Sequence, residues 1–265
     1  AGIGAAAGQV FFSYIGFDAA STAGEEAKNP KRDLPIAIIG SLIIVTIMYL
    51  LVTVAAIGAN GGQPDDYEGQ SGEAILASIA NEVTGSTWAG TLIALGAVIS
   101  IFSVVLVTMY GQTRILFAMG RDGLLPKTFT KVNPRTQTPV NNTIIVTVII
   151  SILAAFIPLG QLAEATSIGT LFAFMIVNAG VISLRRSRPN MPRSFKTPLY
   201  PITPILGVIG CLYLIASLAW ITWVVFFAWL AVGMIIYFTY GIKRSRLARG
   251  EADDWTPDPE PPVVS

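Results

Sequence analysis

The 265-residue sequence contains no histidine and only one cysteine. Without histidine, the commonest general base, proton shuttle and metal ligand is missing. With Cys211 alone, set in an apolar run, neither an internal disulfide nor a cysteine-based metal cluster can form, and Cys211 reads as a small buried hydrophobe. Charge is also scarce. Asp, Glu, Lys and Arg make up 12% of the chain, about half of the ~25% usual in a soluble domain. The net charge of +1 provides no basic field for nucleic acid. The sequence has no phosphate-binding glycine loop, no HExxH zinc motif, no GxSxG nucleophile elbow and no metal-spaced cluster. No enzyme activity and no cofactor are expected.

What the chain has in abundance is apolar length. Hydrophobic residues make up 53% of it, and the mean hydropathy is +0.64. Against a bilayer span of about 20 apolar residues, seven runs stand out: Ile3–Ala27 (interrupted), Leu34–Ala59, Trp88–Met119, Val140–Ile157, Leu162–Leu184, Ile202–Ile221 and Thr222–Ile242. Most are uncharged over a bilayer's thickness and none alternates with period two, so spanning helices are expected rather than barrel strands. Trp88–Met119 is too long for a straight span and is expected to tilt, or to run on into the cytoplasm near Arg114. The chain starts at Ala1, inside an apolar segment and without a signal peptide. The expectation is a piece of a longer protein.

Charge orients these runs. The segments after the first, third, fifth and seventh hold all 17 Lys and Arg residues, from Lys28, Lys31 and Arg32 through to Lys243, Arg244, Arg246 and Arg249. The segments Asn60–Thr87 and Pro158–Gln161 and the turn expected at Trp220–Trp223 hold none, and the first of these is acidic. By the positive-inside bias, the first span runs outside to inside and the C-terminus is cytoplasmic. Glu251–Ser265 is acidic and proline-rich and reads as a disordered tail. In the outer segment, Glu73–Val83 has apolar residues at partly helical spacing and predicts a short surface helix.

The polar residues within the apolar runs are the informative ones. The stretch FFSYIGFDAASTAGEEAKNPKRDLP begins as membrane core, yet places Gly16 and Asp18 in its own interior, followed by Ser21, Thr22 and Gly24. A carboxylate at mid-span costs about 2.5–3.5 kcal/mol on insertion scales, and the surrounding residues are poor or adaptable helix formers. A broken helix is expected, with its first half ending near Ile15–Phe17 and its second beginning near Asp18–Ser21. Such a break frees carbonyls on one side and amides on the other, which suits a zwitterionic ligand. Asp18 reads equally as the N-cap of the second half-helix. Phe12 and Phe17 read as packing residues or as gates.

Other polar positions carry weaker signals. Ser100, Ser103 and Thr108 in the third span read either as groups bonded to their own backbone or, for the two serines, as a coupling site. Thr166, Ser167, Gly169 and Thr170 predict close helix packing. Asn178 predicts an interhelical hydrogen bond, and Glu164, at the outer edge, a solvated carboxylate. EEAKNPKRDLP predicts a salt-bridged turn that starts the next helix at Pro35. RILFAMGRDGLLP predicts a helix end, a turn at Arg121-Asp122-Gly123 and a stop at Pro126.

YIGFDAASTAGEEAKNPKRDLPIAI, followed by a span, an acidic outer loop, QTRILFAMGRDGLLP and NPRTQTPVNN, resembles the amino acid–polyamine–organocation permease superfamily, in particular its cationic amino acid transporter-like branch and prokaryotic relatives. The resemblance covers all but the tail. It implies an all-α membrane protein of twelve spans with a five-plus-five inverted repeat built on broken helices. This chain supplies spans six to twelve: residues 1–184 as the second five-helix repeat, with its first helix broken near 15–21, residues 185–243 as two C-terminal helices, and residues 244–265 as the tail. The first repeat, with the glycine-rich helix that takes the substrate carboxylate and the fifth-span lysine used by some relatives in proton coupling, would lie outside it. The resemblance also implies substrate roles for Phe12, Ser13, Tyr14 and Ile15, whose backbone carbonyls would meet the substrate ammonium. Phe12 would cover the substrate, and Asp18 would stand at the unwound break. Ser100 and Ser103 would fall near the coupling position.

The expected function is therefore secondary active transport of amino acids across the cell (plasma or inner) membrane by alternating access, coupled to protons. The partners are the amino acid, the proton, the lipid bilayer and the first repeat. An uncoupled facilitator or membrane sensor, or a fragment inactive without its first repeat, stands as the alternative. A channel would need a repeated polar stripe. A membrane-embedded enzyme is disfavoured by the absence of histidine and of paired intramembrane carboxylates.

Overall fold

The computed structural model describes residues 2–16, 29–59, 72–133, 136, 138–190, 195–245 and 248. Among them all regular structure is helical. The helices are α1 (Gly2–Val10), α2 (Pro30–Ala59), α3 (Gly72–Thr84), α4 (Thr87–Arg121), α5 (Val140–Phe156), α6 (Leu159–Ser187), α7 (Ile202–Ala216) and α8 (Trp220–Ile236). A tight 3-10 turn, Phe11–Tyr14, follows α1, and another, Lys127–Thr130, precedes α5. A π turn, Tyr237–Gly241, carries α8 on to Arg244.

Among the described residues, four helices are long and apolar enough to cross a membrane: α2, α4, α6 and the continuous Trp220–Arg244. At 1.5 Å per residue, the 35 residues of α4 extend about 52 Å, well beyond a hydrocarbon core of about 30 Å. The runs at Val140 and Ile202 form shorter apolar helices of 17 and 15 residues.

Two boundaries differ from expectation. The helix expected to start at Pro35 begins at Pro30, with Pro35 inside it. The Asn29 carbonyl accepts from the Arg32 and Asp33 N–H groups at 3.0 and 2.9 Å. Asn followed by Pro is itself a helix-start pair, because proline at the first position gives up only an N–H that would lack a partner anyway. The turn expected at Trp220–Trp223 lies earlier, at residues 217–219. The Ser217 hydroxyl donates to the Tyr213 carbonyl at 2.8 Å and Ala219 is extended, so the tryptophans form the first turn of α8.

The chain divides into two compact units. One comprises Tyr14–Gly111 with Pro192–Lys196; the other comprises Ala1–Ser13, Gln112–Met191 and Thr197–Ser265. In the first unit, α2 and the adjoining part of α4 expose apolar side chains on every face, including Val54 at 68% and Ile99 at 71%. That is the signature of helices whose solvent is lipid or other helices. Asn81 of α3 joins the start of α4 by accepting the Gly90 N–H at 2.8 Å, which supplies one of the orphan donors of a helix start.

The second unit has a core. Ile168 and Leu171 of α6 are buried against Ile215 and Leu218, with Cys211, Phe172 and Phe226 packed alongside. The Phe172 and Phe226 rings meet edge to face at 5.1 Å. Glycine allows α1 to lie directly on α7. A Cβ on Gly4 would stand 2.6 Å from the Ser217 Oγ, and one on Gly8 3.0 Å from Leu218 Cδ2, the small-xxx-small logic of membrane helix pairs. At its other end α4 stops where predicted. Gly123 takes φ +80°, Leu124 N–H bonds the Met119 carbonyl at 2.9 Å and Gly123 N–H bonds that of Gly120 at 3.0 Å, a Schellman closure. The same glycine lies against the Arg244 backbone carbonyl.

Candidate functional site

α-Helical winding is lost inside the first apolar run. After Val10 the backbone tightens into the 3-10 turn Phe11–Tyr14, and Gly16 takes φ +128°, a conformation that side chains resist and glycine tolerates. A 3-10 turn has poorer hydrogen-bond geometry than an α-helix and commonly marks a helix end or a hinge. Asp18, Phe17 and the remainder of the expected break lie outside the described residues.

The four sequence-predicted residues of this segment fall on both sides of the division between units, which runs between Ser13 and Tyr14. In one unit, Phe12 is 38% exposed and Ser13 is exposed. Phe11 anchors the turn by meeting Phe174 of α6 edge to face at 6.3 Å. In the other, Tyr14 and Ile15 are half-buried, and Tyr14 meets Tyr49 of α2 edge to face at 5.2 Å. Ser100 and Ser103 are exposed on α4 among exposed apolar neighbours. Thr108 bonds its own helix at the Val104 carbonyl, at 2.8 Å, the ordinary use of threonine in an apolar helix.

Glu164 departs from expectation. It is half-buried rather than solvated, and two neighbouring helices hydrogen-bond to it. Gln9 Nε2 of α1 donates to Oε1 at 3.4 Å, and the hydroxyl of the buried Thr222 on α8 donates to Oε2 at 2.5 Å, within the short range of hydroxyl-to-carboxylate bonds. The signal was present in the sequence. Glu164, Ser167, Ile168 and Leu171 follow the i, i+3, i+4, i+7 spacing of one helix face, and the last three are fully buried or nearly so. Gln9 had no such signal, because its significance depends on a partner 155 positions away.

Asn178 also corrects the sequence reading. Its amide donates to the Phe174 carbonyl of its own helix at 2.8 Å, and its side chain lies flat on Gly207 of α7. The interhelical role belongs instead to Asn142. Fully buried at the start of α5, it donates through Nδ2 to the carbonyls of Phe129 at 2.9 Å and Thr113 at 3.3 Å. Its Oδ1 and the Ser167 Oγ are buried with no hydrogen-bond partner among the described residues.

A family profile described as amino acid permease matches residues 1–240. The chain is 44% identical over 246 residues to the branched-chain amino acid permease BcaP of Bacillus subtilis, covering 93% of this chain and 52% of that protein. It is 39% identical over 252 residues to the methylthioribose transporter of the same organism, with the same coverage of each. It is 40% identical over 189 residues to the vacuolar cationic amino acid transporter 4 of Arabidopsis thaliana, covering 71% of this chain and 30% of that protein. The chain thus spans about half the length of the first two relatives. The family and these relatives are permeases and transporters, not enzymes.

Proposed function

The chain belongs to the amino acid permease family, and from that premise we propose that it forms the C-terminal part of a secondary amino acid transporter. In this reading it contributes spans six to twelve of a twelve-span protein with two inverted five-helix repeats, and works by alternating access together with a preceding repeat. The observation that carries the reading is the loss of α-helical winding at Phe11–Tyr14, with Gly16 at φ +128°, inside an apolar run. Unwound backbone at membrane depth offers carbonyls that no helix uses, and these are acceptors for an ammonium group.

Phe12, Ser13, Tyr14 and Ile15 would line the amino end of the substrate and Asp18 would stand at the break. Ser100 and Ser103 would serve the coupling position. Transport would be driven by protons across the cell membrane, with the C-terminus in the cytoplasm. Relatives carry three substrate classes in their names: branched-chain amino acids, cationic amino acids and methylthioribose. Leucine is the first probe, because the relative at 44% identity is named for branched-chain amino acids.

The test is uptake of radiolabelled leucine, lysine and methylthioribose into proteoliposomes holding the full-length protein, with and without an inward proton gradient. Gradient-driven accumulation of one amino acid class is expected. Equilibration without accumulation would replace the proposal by a facilitator, and uptake of methylthioribose alone would move the substrate outside the amino acids. Asp18→Asn is expected to insert normally and transport poorly; wild-type uptake by that variant would remove Asp18 from the site.

A further inference from the structure

We propose that Glu164 is a positioning residue for the substrate segment, holding α1 against α6 and α8 so that Phe12 and Ser13 are presented in one fixed conformation. The inference rests on the reading of that segment as the substrate site. Contacts within one unit hold the helix that leads into it. Gln9, three residues before Phe12, donates to one oxygen of the Glu164 carboxylate, and Thr222 of α8 donates to the other. Phe11, the residue before Phe12, packs on Phe174, ten positions along α6 from Glu164. Gly4 and Gly8 seat the opening turns of the same helix on α7. A 3-10 turn has little intrinsic rigidity, so its conformation depends on what grips the chain just before it.

The chemistry of the grip is informative. α1 and α8 carry no ionisable side chain, and α7 carries only Cys211 and Tyr213. Among the described residues Glu164 is therefore held by two neutral donors. A carboxylate is the side chain that accepts from two helices at once, through its two oxygens, and bonds to a charged acceptor are roughly twice as strong as neutral ones. Removing it would break the polar tie of α1 to α6 and α8 and leave only the apolar seats at Phe11, Gly4 and Gly8. The substrate-competent conformation would then be populated only part of the time, which raises the apparent dissociation constant in proportion.

The experiment uses the full-length protein and two independent readouts. In leucine uptake, Glu164→Ala is expected to raise KM about tenfold or more, the weight of one hydrogen bond to a charged group, with turnover per folded molecule largely kept. Glu164→Gln keeps an acceptor for Thr222 and a polar group for Gln9, and is expected to stay near wild type. Gln9→Glu combined with Glu164→Gln exchanges the pair and should likewise leave KM near wild type. The second readout is the nitroxide spectrum of a label at Ser13→Cys in a background without other cysteines, which needs no transport. It is expected to be immobilised with Glu164 present and to sharpen with Glu164→Ala.

An unchanged spectrum and an unchanged KM in Glu164→Ala would overturn the proposal. So would Glu164→Gln losing proton-driven accumulation while keeping leucine exchange, since Glu164 would then be carrying the proton. If the wild type takes up no leucine, the substrate reading fails, and the spectrum still decides whether Glu164 orders the segment.

Discussion

Asn142→Asp is the substitution that most sharply tests the packing beneath α4. The two side chains have nearly the same shape, so no cavity or overlap confuses the result. In the wild type, Nδ2 is the donor that two backbone carbonyls share, Phe129 at 2.9 Å and Thr113 at 3.3 Å, at a site with no exposure. Replacing it with a carboxylate oxygen deletes two bonds worth about 0.5–1.5 kcal/mol each and turns an acceptor towards two acceptors. An uncompensated buried charge adds about 3–5 kcal/mol. The expected loss is about 4–8 kcal/mol, at roughly 2–4 °C of melting temperature per kcal/mol.

Asn142→Leu is the control. It loses the same two bonds, but it also removes the Oδ1 that is buried without a partner, itself a burden of about 1–3 kcal/mol. Its net effect should be within about 2 kcal/mol of zero. The assay is thermal unfolding of the detergent-solubilised full-length protein, followed by the monodisperse fraction on size exclusion. The reasoning is refuted if Asp melts no lower than Leu: both lack the donated bonds, so a carboxylate turned towards two buried carbonyls would then carry no cost.

Three further outcomes are expected. Gly4→Leu should lower the melting temperature, since overpacking at a contact already closed by Ser217 and Tyr213 costs about 1–3 kcal/mol; an unchanged melting curve would mean that α1 does not lie on α7. Gly123→Ala should strain the turn by about 1–3 kcal/mol at φ +80° and press on the Arg244 carbonyl, which limited trypsin digestion would register as faster cleavage after Arg244. In a background without other cysteines, Ser86→Cys should react with an impermeant maleimide from outside intact cells and Thr128→Cys only after lysis; the reverse pattern would invert the orientation.

Legibility followed the range of the forces involved. The long apolar helices were plain because each signals itself locally, through twenty or more residues without a charge. The stop at Gly123 was equally plain, since a Schellman turn is specified by its own few residues. The start of α2 was misplaced by five positions, at Pro35 instead of Pro30. Both prolines satisfy the same local rule, and the choice rests on which preceding residue accepts the first bonds. The site divides the same way. Composition led to an expected first half-helix ending near Ile15–Phe17, whereas α-helical winding ends at Val10, and nothing in the sequence announced the pairing of Gln9 with Glu164. A glutamine in one helix and a glutamate in another say nothing of each other until the fold brings them together.

The seating of Gly4 and Gly8 against Tyr213, Ser217 and Leu218 has a consequence for biosynthesis. Gly8 and Leu218 are joined by a long stretch of chain, and at about 5–20 residues per second a ribosome needs on the order of 10–40 s to make it. Throughout that interval Gly4 and Gly8 are without the surface that later covers them, and Gln9 is without Glu164 for most of it. α1 is thus made long before the segment on which it docks. Substitutions at Gly4 or Gly8 should therefore show first as degradation of newly made protein, before any change appears in the mature molecule.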